Sequence, residues 1–348
     1  MPIRVLVAED SLTVRKRLVE VLSSDPELEV VAEAEDGRRC IELCRDLRPD
    51  VITLDMVMPV MSGLAATEYI MAYCPTPIVI VSASMNRGDV FRTYDALAAG
   101  AIEVVEKLRD DEAVDAWASR LLFTVKVASR VKVITHPRLR LDSARSAARL
   151  GGAIGLDRPL ELVAIGASTG GPSAVVEVLR GLPADFAVPI LLVVHIDQAF
   201  GKSFAEWLDG QSPLRCRLAV DGEPLPAQGL LMAPPDHHMV LRDGVLRLSR
   251  DPPRHSCRPS VDTLFDSLAP LGARVAACLL TGMGRDGAEG LLAIRRAGGV
   301  TIAQDEATSI VFGMPREAIA LGAALHVLPL ERIAPTVSAL MSPPRSRP

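Results

Sequence analysis

From its start to about position 124 the chain alternates short aliphatic runs with amphipathic stretches of helical length. This pattern leaves room for little besides a parallel sheet covered by helices. Residues 3–8, 30–34, 51–54, 77–81 and 102–105 read as strands. Between them, Leu12, Val14, Leu18, Val19 and Leu22, and then Ile41, Leu43, Cys44 and Leu47, repeat at helical spacing. Five strands and five helices fit a doubly wound α/β domain. Residues 125–158 break the pattern, with eight basic and two acidic side chains among small residues and a Gly151-Gly152 pair. This stretch reads as a basic linker, and alternatively as a docking surface for the acidic first domain, which has 13 basic and 22 acidic side chains. A second α/β pattern follows, with strand-like 162–166, 190–194 and 275–281. Residues 231–235, 239–241 and 245–248 suggest a small β insertion, turning at Arg242-Asp243-Gly244. The expected organisation is a domain over 1–124, a linker over 125–158 and a second domain over 159–345.

Composition removes several function classes. Aromatic residues make up 3% of the 348, and the net charge is −5, so platforms for stacking bases and attraction for phosphate backbones are both poor. No nucleic-acid partner is expected. The apolar runs fall far short of the ~20 residues that span a bilayer, and residues 1–8 lack the phases of an export signal. A cytoplasmic protein without membrane insertion is expected. The six cysteines include no Cys-x-x-Cys pair and read as reduced thiols, mostly buried.

Ligands of such sheets sit beyond the carboxyl ends of the strands. There the first domain carries Glu9 and Asp10 after its first strand, Asp55 after the third, Ser82 at the end of the fourth and Lys107 after the fifth. Any one of these reads as a solvated loop residue. Together they read as a phosphoryl-acceptor site, in which converging carboxylates call for a hard cation such as Mg²⁺ and Ser82 and Lys107 hold phosphoryl oxygens. Val5-Leu6-Val7-Ala8-Glu9-Asp10-Ser11, the run from Asp55-Met56-Val57-Met58-Pro59 to Gly63, Ser82 and Lys107 resemble a response-regulator receiver domain. The resemblance implies that Asp55 accepts phosphate from a histidine kinase, that Asp10, Asp55 and the Val57 carbonyl bind Mg²⁺ with Glu9 nearby, and that Ser82 reports the state. Leu108, Val104 and Val57 depart from the usual pattern, which touches the transmission of the signal more than phosphorylation.

In the second domain a buried strand runs into Ala167-Ser168-Thr169-Gly170-Gly171-Pro172. The glycines permit a tight turn, and Pro172 suits the first turn of a helix. Gly166-x-Ser168-x-Gly170 therefore has the logic of a nucleophile at a strand-to-helix turn. No Gly-Lys-[Ser/Thr] or Gly-x-Gly-x-x-Gly pattern supports a nucleotide site there. Of the six histidines, His195 closes a strand; His136 lies in the linker, and His326 reads as a satisfied structural histidine. Asp286 follows another strand, so Ser168, His195 and Asp286 can meet at one sheet edge. Two other orders stay open on these grounds: Ser168 with Asp305 and His326, or with Asp251 and His255.

Ala164–Gly171, His195, Ala233-Pro234-Pro235-Asp236, Arg258-Pro259-Ser260-Val261-Asp262, the run 280–287 and the run from Ala303-Gln304-Asp305 to Ile319 resemble the chemotaxis protein-glutamate methylesterases. With the receiver, the resemblance covers nearly the whole chain. It implies a Rossmann-like α/β catalytic domain with Ser168 as nucleophile, His195 as base, Asp286 as its orienter, and the Thr169 and Met283 amides as oxyanion donors. It implies phosphorylation-regulated hydrolysis of glutamate γ-methyl esters on methyl-accepting chemoreceptors, deamidation of their glutamines, and no cofactor at the esterase site. Val194–Phe200 departs from the family's usual residues around the histidine, which bears on substrate fit. The competing readings are a phosphorylation-dependent adaptor and a receiver-gated esterase of small molecules.

Overall fold

The computed structural model describes residues 1–83, 87–109, 112–131 and 160–341. The chain divides into two compact units, Met1–Ser143 and Ala144–Pro348.

The first unit carries β1 (Ile3–Ala8), α1 (Leu12–Ser23), β2 (Leu28–Ala34), α2 (Gly37–Leu47), β3 (Val51–Leu54), α3 (Gly63–Tyr73), β4 (Ile78–Ser82), α4 (Arg87–Ala98), β5 (Glu103–Glu106) and α5 (Val114–Ala128). Its strands are parallel in the order β2-β1-β3-β4-β5, so the sheet winds in both directions from β1 and β3. All four residues of β3 and all five of β4 are buried, as expected of strands covered on both faces. Helix starts follow local chemistry: Ser11, Asp36 and Ser62 accept hydrogen bonds from Val14, Arg39 and Ala65 amides. Because α5 runs to Ala128, the expected domain limit at 124 falls inside a helix. Residues 132–159, with His136 and most of the expected linker, lie outside the described residues, as does the expected limit at 345.

The second unit carries β6 (Leu162–Ala167), α6 (Gly171–Arg180), β7 (Pro189–Val194), α7 (Gln198–Gln211), β8 (Cys216–Leu218), β9 (Gly229–Met232), β10 (His238–Arg242), β11 (Val245–Ser249), α8 (Val261–Leu268), β12 (Val275–Leu279), α9 (Ala288–Arg296), β13 (Val300–Gln304), α10 (Met314–Ala320), β14 (His326–Leu328) and α11 (Leu330–Leu340). Seven strands form one parallel sheet in the order β14-β13-β12-β6-β7-β9-β8. From β6 the chain builds outward first through β7 and later through β12, so β6 sits where the winding changes direction. Its neighbours open the crevice in which ligands of such sheets bind. Val193, Leu264, Phe265, Leu279 and Leu291 belong to the core packed against this sheet.

The expected β insertion is partly corrected. Among the described residues, β10 and β11 alone form a separate hairpin, across a two-residue Asp243-Gly244 turn with φ of 51° and 75°. Leu231 and Met232, from the apolar run at 231–235, belong instead to β9, which pairs in parallel with β7 and β8. A run of four or five apolar residues fits either setting, and only the pairing distinguishes them.

Candidate active site

In the second unit, β6 and β7 pair with Ala167 opposite Val194, and the His195 amide donates to the Ala167 carbonyl at 3.0 Å. Ser168 and His195 thus leave adjacent strands side by side, about one strand spacing (~4.8 Å) apart in backbone. On the other side of β6, the chain beyond β12 folds back over the serine. The Ser168 amide donates to the Thr281 carbonyl at 3.0 Å. Gly282 comes so close that a Cβ there would stand 2.7 Å from the Ser168 Cβ. Gly170 caps α6 at φ 74°, a conformation that favours glycine, which gives the sharp turn after the serine. The Thr169 and Met283 amides, the expected oxyanion donors, donate to no acceptor among the described residues.

His195 Nε2 lies 3.0 Å from Asp286 Oδ2. The carboxylate is almost fully buried, at 2% exposure, and accepts three further hydrogen bonds, from the Ser260 hydroxyl at 2.7 Å, the Val261 amide at 2.7 Å and the Asp262 amide at 3.0 Å. These donors belong to the N-terminus of α8, where Ser260 is the cap. A helix N-terminus is a favourable seat for an anion. Burial pushes the Asp286 pKa up, but the hydrogen bonds from His195 and from α8, with the imidazole's charge, outweigh it and hold the carboxyl below its ordinary range. For His195, burial pushes the pKa down, while hydrogen bonds to Asp286 and Cys257 and their charge raise it to about 9.

The other ring nitrogen, Nδ1, faces the Cys257 sulfur at 3.6 Å. No hydrogen bond joins Ser168 to His195 among the described residues. Two of the three expected groups are therefore in contact, and the third stands beside them. Contacts between catalytic groups often tighten only around bound substrate.

The alternative orders do not assemble. Asp251 accepts from Ser249, and His255 faces Asp262 and Arg285 instead. Asp305 caps the turn at Thr308, while the buried Nε2 of His326 has no hydrogen-bond partner among the described residues, against the expectation of a satisfied histidine there. Burial lowers the His326 pKa.

Ser260, Cys257 and Gln304 have no expected role in the sequence, yet all three lie at the site. Gln304 is fully buried and accepts from the Thr281 amide at 2.8 Å, pinning the loop that carries Asp286. The one available signal was Ser260 standing before the apolar face of α8, a helix-cap pattern.

In the first unit, Lys107 Nζ bridges Glu9 Oε2 at 2.8 Å and Asp55 Oδ2 at 3.0 Å. Both carboxylates are buried, whereas Asp10 is exposed. Burial, then the Asp55 charge, push the Glu9 pKa up to about 7 against the opposing pull of Lys107. Burial also raises that of Asp55. Glu9, Asp10 and Asp55 each offer an oxygen within 4.8 Å of the others, a hard donor set that suits Mg²⁺. The Val57 carbonyl accepts no hydrogen bond among the described residues, leaving it available as a further oxygen ligand. Ser82 is buried and accepts from the Thr93 hydroxyl at 3.4 Å.

The family model for CheB methylesterase matches residues 163–337, and that for the response regulator receiver domain matches 5–117. The protein-glutamate methylesterase/protein-glutamine glutaminase 2 of Anaeromyxobacter dehalogenans is 46% identical over 333 residues, 95% of each chain. A protein of the same name from Pseudomonas aeruginosa is 44% identical over 341 residues, 96% of this chain and 95% of that one. Among solved structures, the Thermotoga maritima CheB methylesterase catalytic domain is 36% identical with a TM-score of 0.50, covering 53% of this chain and 100% of that one. With its parallel β6-β7-β12 core and its five-stranded first sheet, the chain belongs to the CheB methylesterase family and carries a response regulator receiver domain.

Proposed function

We propose that this protein hydrolyses glutamate γ-methyl esters on methyl-accepting chemoreceptors, releasing methanol, under the control of phosphorylation at Asp55. The observation that carries this reading is the His195–Asp286 pair at the carboxyl edge of the sheet, with Ser168 on the neighbouring strand end. Ser168 Oγ attacks the ester carbonyl, and its proton passes to the His195 nitrogen that Asp286 does not hold, which is Nδ1. To do so it takes the place of the Cys257 thiol. The Thr169 and Met283 amides receive the oxyanion. A donor of this kind is worth roughly 10²–10³ in rate. The carbon–methoxy bond then breaks, methanol leaves with the proton from His195, and an acyl-serine remains. Water attacks this ester, His195 takes its proton and returns it to Ser168, and the receptor carboxylate is freed. A glutamine side chain follows the same course with ammonia as the leaving group.

In the receiver, Asp55 is the phosphoryl acceptor and a histidine kinase the donor. Glu9, Asp10, Asp55 and the Val57 carbonyl would hold Mg²⁺, which supplies charge neutralisation at the crowded carboxylates. Lys107 exchanges its Asp55 contact for a phosphoryl oxygen, and Ser82 turns from Thr93 towards the same group. These partners imply a cytoplasmic protein. The domain limits are 1–124 for the receiver, extended by α5 to Ala128, a linker to 158 and an esterase over 159–345.

The test is methanol release from methylated receptor fragments, with and without acetyl phosphate. The expected result is release that acetyl phosphate increases and that Ser168→Ala abolishes. Retained release in Ser168→Ala, or turnover of small esters with none of receptor esters, contradicts it.

A further inference from the structure

Cys257 has no part in the reaction above, yet its sulfur stands 3.6 Å from His195 Nδ1. A tetrahedral zinc ion, with bonds of about 2.3 Å to thiolate and about 2.0 Å to imidazole, holds those two ligand atoms roughly 3.5 Å apart. The pair is already spaced for one ion. The other requirement of a histidine ligand is a carboxylate on its far nitrogen, fixing the tautomer and the ring orientation. Asp286 occupies that position on Nε2 at 3.0 Å and is itself anchored by α8. In the neutral ring the proton then sits on Nε2 and the Nδ1 lone pair points towards sulfur. Both residues are partly exposed, so an ion can enter and water can complete its coordination. Sulfur and imidazole nitrogen select borderline-soft ions over Mg²⁺ or Ca²⁺.

We propose that Cys257 and His195 form a binding site for a divalent transition ion of the zinc class, closing the esterase site when occupied. The ion takes the nitrogen that must accept the Ser168 proton, and binding releases to solvent both the thiol proton and the Nδ1 proton that the cationic ring carries. Two protein ligands with open positions make a reversible inhibitory site. Turnover itself uses no metal there.

The site is tested with the full chain, in excess Mg²⁺ to saturate the oxygen-ligand cluster of the receiver. Titration with Co²⁺ reads the thiolate-to-cobalt charge-transfer band, a signature the receiver carboxylates cannot give. The band is expected in the parent chain, to be lost in Cys257→Ser with five cysteines remaining, and to weaken in His195→Gln. No band, or a band that persists in Cys257→Ser, overturns the proposal independently of whether the esterase reading stands. In turnover, Zn²⁺ is expected to abolish methanol release reversibly with EDTA. Cys257→Ser should require at least roughly tenfold more Zn²⁺ for half loss, and equal sensitivity overturns the proposal.

Discussion

Asp286 decides how the imidazole behaves. Raised to about 9 from an ordinary 6.5, His195 is mostly cationic at neutral pH, and a cation cannot accept a proton. Turnover should rise about tenfold per pH unit below that value and level off near it. The same shift has the opposite effect on stability. Its contribution is fully present below about 6.5 and is lost as the pH rises through about 9. Activity and thermal midpoint, measured on one series of buffers, should therefore diverge across this window. Asp286→Asn should lower turnover by about 10³–10⁴-fold and move the remaining activity to lower pH, because the neutral amide no longer holds the imidazolium. That Ser168, His195 and Asp286 follow strands was legible in the sequence, but strand ends alone left two other orders open, and only the structure brings the His195 and Asp286 side chains together. Cys257 was not legible, because nothing in a linear pattern says which ring nitrogen faces which neighbour.

At the level of elements, the site follows from strand order: β6 lies between β7 and β12, and the three expected residues follow these three strands. The first sheet was readable almost strand for strand, since aliphatic runs alternate with helices of regular spacing. The second was readable only around β6, β7 and β12. The three-residue β8 and β14 are too short to carry a period, and β9 resembles a hairpin strand until its parallel pairing is known. Helix α8 matters for both stability and chemistry, because Ser260 accepts from the Thr263 amide while donating to Asp286. Ser260→Ala should cost about 1–2 kcal/mol in denaturant unfolding and lower turnover as well. Gly282→Ala should cost roughly 1–3 kcal/mol, because the new methyl group would stand 2.3 Å from Met314 Sδ and 2.7 Å from the Ser168 Cβ.

For the whole molecule, the proposed control by phosphorylation at Asp55 couples the state of the receiver to turnover in the esterase unit. Deleting residues 1–130 should then remove the response of turnover to acetyl phosphate. Asp55→Asn should leave basal turnover in place and remove its response to acetyl phosphate. A folded, truncated enzyme that still responds to acetyl phosphate would count against this control. Every step of the proposed hydrolysis depends on Ser168 being the group that attacks. Labelling the full chain with a fluorophosphonate ester and locating the adduct by mass spectrometry tests this most directly. One adduct is expected, on the peptide containing Ser168, formed far more slowly in His195→Gln. An adduct on another residue, or labelling of Ser168 at the same rate without the imidazole, would contradict it.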